Sequence, residues 1–145
     1  MGIAQTTTTS FRVELFEAVH NFSTDTFFIA LYTGAADIGP NTTAYTAIGE
    51  ASGTGYTAGG QALTVSTTPT YANDIYNVPT AYVSFANISW TNASFTARGA
   101  LIYNSSKSNK SVAVLDFGAD KTVTGTDFTV QFPVADPNSA IVRIS

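Results

Sequence analysis

The stretch "TFFIALYT", residues 26–33, is apolar at every position between its two flanking threonines. Period-two alternation puts Phe28, Ala30 and Tyr32 on one side and Phe27, Ile29 and Leu31 on the other. A strand that is apolar on both sides belongs in the middle of a sheet covered on both faces. Its shortness and its aromatic and branched residues favour strand over helix. The segment therefore predicts a β protein with residues 26–33 at its centre.

Upstream the period changes. In "SFRVELFEAVHNF", residues 10–22, the apolar residues Phe11, Leu15, Ala18, Val19 and Phe22 recur at helical spacing. This predicts one helix of about three turns, capped by Ser10, with Glu14 and Glu17 outward and the apolar face covering the central strand. Before it, "MGIAQTTTTS" is a polar arm with nothing to bury. Residues 1–10 are expected to be mobile, or ordered only by a partner, and residues 11–145 to form a single domain.

Downstream, residues 34–60 are rich in glycine and threonine and turn at Gly39-Pro40. They read as an extended excursion rather than core, a place where long loops engage partners. Six strand-like runs follow at short spacing: "QALTVSTTPTY", "TAYVSFANISWT", "SFTARGALIYN", "SVAVLDFG", "TDFTVQFP" and "AIVRIS". Asn92-Ala93 and Gly125 sit at expected turns. The expected architecture is all-β, a two-sheet sandwich with one short N-terminal helix.

The chain has 145 residues, a net charge of −4, and only 11% charged residues, with no cysteine and one histidine. Low surface charge suits a subunit that hides surface against neighbours, and a homo-oligomer, dimer or trimer, is expected. The six basic residues are scattered, with Lys107 and Lys110 the nearest approach to a cluster, so no nucleic-acid partner is expected. No signal-peptide pattern or membrane-length apolar run is present, so no membrane partner is expected and synthesis in a cytoplasm is the expectation.

Motifs for catalysis are weak. His20 reads as a partner for helix C-terminal carbonyls, and no nucleophile elbow accompanies it. Asp116, Asp120 and Asp127 lie in turn-like flanks, where Asp and Gly bend the backbone, rather than at calcium-loop spacing. "LDFGAD" and "SGTGYTAGG" lack the companions a kinase or phosphate loop needs. No catalytic residue, cofactor or metal is expected. In "SFTARGALIYN", Phe95, Ala97, Leu101 and Tyr103 alternate with Thr96, Arg98, Ala100 and Ile102. Arg98 beside Gly99 reads as a forked contact to a carboxylate or carbonyl, within the subunit or across to a neighbour.

Four segments taken together, "FSTDTFFIALYTGAA", "TTAYTAIGEASGTGYTAGGQAL", "VSFANISWTNASFTARGALIYN" and "VAVLDFGADKTVTGTDFTVQFP", resemble a family of small structural proteins of tailed bacteriophages. Within it the chain is most similar to capsid cement, or decoration, proteins. That resemblance implies a jelly-roll-like β-sandwich on the outer face of a virion capsid, with the major capsid protein as partner and no catalytic residues. The candidate contacts are Thr6, Thr7 and Thr8 in the arm and the aromatic anchors Tyr45, Tyr56, Tyr71 and Tyr76, together with Arg98. The alternatives are a head-fibre base, a tail component, or a carbohydrate-binding module with Trp90 as its stacking platform.

Overall fold

The structure, a computed structural model, describes residues 2–145. Its elements are β1 (Thr6–Thr7), α1 (Thr9–Phe16), β2 (Phe27–Tyr32), β3 (Gln61–Ala62), β4 (Val65–Asn73), β5 (Pro79–Phe85), β6 (Ile88–Asn104), β7 (Lys110–Val130) and β8 (Val142–Ile144). They form a five-stranded sheet, β1-β7-β6-β2-β3, and a three-stranded sheet, β4-β5-β8. All named strand pairs are antiparallel. This is an all-β sandwich with one short N-terminal helix, as the pattern predicts.

β2 is the central strand that its sequence requires. Phe27, Ile29 and Leu31 join the main core with Phe11 of α1 and with Val83, Phe85 and Val142 of the small sheet. Ala30 and Tyr32 face the other way, with Leu101, Tyr103 and Val114, and are roofed by Ala36, Ile38, Ile3 and Tyr45. The second cover is therefore the arm and the excursion, which corrects the reading of both as segments without core. Thr6 and Thr7 pair with Val114 and Ala113, and Thr8 is fully buried. The arm supplies strand hydrogen bonds instead of apolar bulk, a contribution that composition does not reveal.

The helix is shorter than expected and differently capped. Thr8, not Ser10, accepts from the Phe11 amide at the N-cap, and the helix stops at Phe16, with Ala18 in a left-handed conformation (φ 58°) soon after. Leaving the helix there lets the chain turn back, so that Phe22 stacks on Phe27.

β6 and β7 form one long hairpin that merges the expected runs "SFTARGALIYN", "SVAVLDFG" and "TDFTVQFP" with the end of "TAYVSFANISWT", whose first half is the separate strand β5. Asn92 (φ 48°) and Gly125 (φ 62°) make bulges within the hairpin rather than turns. The reversal occurs at residues 105–109, where Ser108 and Asn109 take positive φ, so "NSSKSNKS" is the loop tip. "FGADKTVTG" lies within β7 and does not reverse the chain, but Asp and Gly do bend it: the pairing skips from Asp116 to Lys121, Gly118 takes φ 80°, and Asp116 Oδ1 accepts from the Gly118 amide at 2.8 Å. A further register shift between Ala97 and Gly99 reverses the side-chain alternation. Phe95 and Ala97 therefore share the main core with Ala100 and Ile102, while Leu101 and Tyr103 enter the second core. A Cβ at Gly99 would lie 2.6 Å from the Leu115 carbonyl oxygen, so the close backbone approach is real.

Candidate interaction surface

The expected contact residues divide into two groups, and Glu50 divides them. Its carboxylate accepts from the Tyr45 hydroxyl at 2.7 Å, the Tyr56 hydroxyl at 2.6 Å and the Gly59 amide at 2.7 Å. Tyr56 oxygen also accepts from the Leu31 amide, and Tyr103 donates to the Gly59 carbonyl, so the cluster clasps the excursion onto β2 and β6. Burial, and then the hydrogen bond to the Glu50 carboxylate, push the Tyr45 hydroxyl up to about 12 and raise Tyr56 further. Burial likewise raises Tyr32 and Tyr103. Tyr45 and Tyr56 are part-buried, and their hydroxyls are spent on internal ties.

Thr6, Thr7 and Thr8 are also committed internally. Thr8 shares a 2.9 Å hydrogen bond with Ser111 besides capping α1. Arg98 stays within its own chain, 3.5 Å from Asp120 Oδ1 and 3.4 Å from the Gly118 carbonyl, but its side chain is 42% exposed and that of Asp120 62%. This is the expected fork at long range, on the surface.

Tyr71 and Tyr76 point outward, 76% and 79% exposed, at the β4–β5 hairpin with exposed Ile75 and half-exposed Val78. The turn beneath them is tightly organised. Asp74 Oδ1 accepts from the amides of Tyr76 (2.8 Å) and Val78 (2.9 Å), Asn77 takes φ 61°, and Asn73 donates to Asn77 at 2.7 Å. Asn138 accepts from the Ile75 amide at 2.9 Å and ties the tip to the segment before β8. Aromatic and branched side chains are thereby offered to solvent on a fixed backbone. The "NDIYN" run (residues 73–77) carried the signal for this, an Asx turn enclosing apolar residues, but its turn chemistry was not read.

The remaining polar candidates are local. His20 is buried and does not meet the helix carbonyls. Asn104 Nδ2 donates to its Nδ1 at 3.0 Å, which leaves Nε2–H to donate to Glu14 at 2.9 Å. Glu14 is correspondingly buried rather than outward. With both nitrogens engaged, the imidazole has no free base to offer. Burial opposes the charge of Asp25, yet hydrogen bonds from Asn104 and the Asn21 amide, with Lys107 nearby, hold it below the usual carboxylate range. Asp116 binds the Gly118 amide, Asp120 meets Arg98, and Asp127 accepts from the Asn92 amide, so the three do not converge. Among the described residues no group of three or more His, Asp or Glu could hold a metal ion, and no helix is long and apolar enough to cross a membrane. Trp90 is buried against Tyr56 and Phe128 and offers no stacking platform.

Fold and surface define an all-β protein of two antiparallel sheets with an exposed aromatic hairpin. Comparison with protein-family models, with curated proteins and with solved structures finds no match.

Proposed function

We propose that this chain is a structural subunit that works by burying apolar surface against other proteins, as a cement protein on the outside of a bacteriophage capsid. The observation that carries the binding role is the hairpin tip, with Tyr71, Ile75 and Tyr76 held outward on a hydrogen-bonded turn. Aromatic residues on a preorganised backbone lose little entropy on binding, which makes them effective interface anchors. The low charge fits the same role, and the resemblance of the four quoted segments supplies the capsid setting with the major capsid protein as partner. Many copies, each adding a modest interface between neighbouring shell subunits, would resist opening through avidity.

The contact surface in this reading is the hairpin tip, not the arm or the excursion, both folded onto their own sheet. The carbohydrate-binding reading loses its platform with Trp90 buried. The test is re-addition of purified protein to capsids stripped of it. The native chain should bind and raise the temperature at which the shells open. The double variant Tyr71→Ser/Tyr76→Ser should melt normally and fail to bind. Failure of the native chain to bind stripped shells would overturn the capsid role, and normal binding by the double variant would overturn the role of the tip.

A further inference from the structure

We propose that the outward face of α1 is a self-association surface, on which a second copy of this chain packs its own α1 antiparallel about a two-fold axis. The face shares no residue with the hairpin tip, and the pairing does not depend on the capsid setting.

α1 is apolar on two sides. Phe11 and Leu15 turn toward the main core. Glu14, also inward, is held by His20 and Lys110. The opposite arc carries Arg12, Val13, Phe16 and Glu17, all exposed, which share one face at about 100° per residue. Phe16 is 95% exposed, more than any other large apolar side chain among the described residues, and Val13 is 54% exposed. A surface helix ordinarily keeps polar residues on that side. Ile48 and Val134 are exposed singly, which is common, whereas Val13 and Phe16 lie one turn apart and make a ridge.

Charge names the occupant. Arg12 lies toward the start of α1 and Glu17 at its C-cap, an order that the helix dipole disfavours. Glu17 has no ion pair among the described residues, and Arg12 makes only a 3.4 Å contact with Thr9 Oγ1. Neither charge serves its own helix. An antiparallel neighbour centred between residues 14 and 15 gives both a use. Val13 then meets Phe16 of the second copy, and each Arg12 lies at the end of the pair that holds the other copy's Glu17. The ridge is complementary to itself in size and in charge, as an isologous interface requires. A parallel neighbour would set Arg12 on Arg12 and Glu17 on Glu17, which charge forbids.

Four residues cover less than the about 800 Å² per partner that stable interfaces bury, so the pair is a weak one. Copies held side by side on an assembled surface would form it through their high local concentration.

Sedimentation equilibrium of the full-length chain, from micromolar concentration up to about 1 mM, tests this. The native chain should dimerise within that range. Phe16→Ser should melt normally, because the ring is exposed, and stay monomeric. Arg12→Glu and Glu17→Arg should each weaken dimerisation about tenfold. The double swap Arg12→Glu/Glu17→Arg should recover native self-association yet pair poorly with the native chain, since like charges then meet at both ends. A native chain that stays monomeric, dimerisation indifferent to Phe16→Ser or to the single charge changes, or free pairing of the double swap with the native chain would overturn the proposal. So would dimerisation abolished by Tyr71→Ser/Tyr76→Ser, which would give self-association to the hairpin tip. None of these outcomes depends on whether the native chain binds stripped capsids.

Discussion

Tyr45 and Tyr56 in the excursion and Tyr71 and Tyr76 at the hairpin are the same residue in similarly polar, turn-rich sequence, with opposite fates. The first pair turns inward because Glu50 offers both hydroxyls an acceptor and Gly59 a third donor to share it. The second pair has an aspartate close by as well, but Asp74 spends its carboxylate on the backbone amides of its own turn. One carboxylate pulls tyrosines into the fold; the other stiffens the loop and leaves them outside. The destination of an amphipathic ring is thus set by which groups its neighbouring acid can reach.

The comparison breaks most readily at the backbone beneath the clasp. Gly60 takes φ +80°, and a Cβ there would lie 1.8 Å from the Ile29 carbonyl oxygen. Gly60→Ala is expected to lose at least about 4 kcal/mol, or to fail to fold, through strain and loss of contact with β2. Glu50→Ala should follow at about 3 kcal/mol, because three donors lose a charged acceptor in a half-buried site. Tyr71→Ser/Tyr76→Ser should stay within about 0.5 kcal/mol of the native chain. Urea unfolding of the four proteins checks the order, and a hairpin variant as damaging as Glu50→Ala would erase the distinction between the two regions.

Alkali sharpens the same contrast. The Tyr45 hydroxyl moves from its ordinary 10.0 up to about 12 on folding, and Tyr32, Tyr56 and Tyr103 are raised as well. A raised folded value means that the native chain holds its protons more tightly. The contribution is complete below about pH 10, and stability falls as pH rises from there through about 12, where the unfolded chain ionises first. Tyr45→Phe should flatten part of that fall, as read from urea midpoints across the range. An unchanged slope would remove Tyr45 from the set of groups that cause it.

Much of the sheet was legible. β2 announced itself through apolar residues on both faces, and β8 as a strand at the end of the sequence. The two long strands were read in pieces because Asn92 and Gly125 favour turns and bulges equally; only cross-strand pairing separates the two. The switch of face at Ala97 and Gly99 was hidden for the same reason, since a bulge leaves no periodic trace. Glu50 went unread because one acid in a glycine-rich loop carries no local pattern. Its role exists only once Tyr45, Tyr56 and Gly59 have been brought together by the fold.

The smallest expected effect belongs to the residue whose sequence context looked most suggestive. A buried Arg98 fork would contribute on the order of 1.5–3 kcal/mol. The fork is intramolecular, but its two hydrogen bonds are 3.4 and 3.5 Å long, and both charged side chains face water. Such pairs are screened and must hold a long side chain in one geometry, so their median value is about 0–1 kcal/mol. Arg98→Met keeps the stem that packs near Gly34 and deletes only the charge. It should shift stability by no more than about 0.5 kcal/mol, with the difference shrinking in high salt. A loss near 3 kcal/mol that persists in high salt would mean that the guanidinium is desolvated in solution, and that Arg98 belongs with Glu50 among the internal ties.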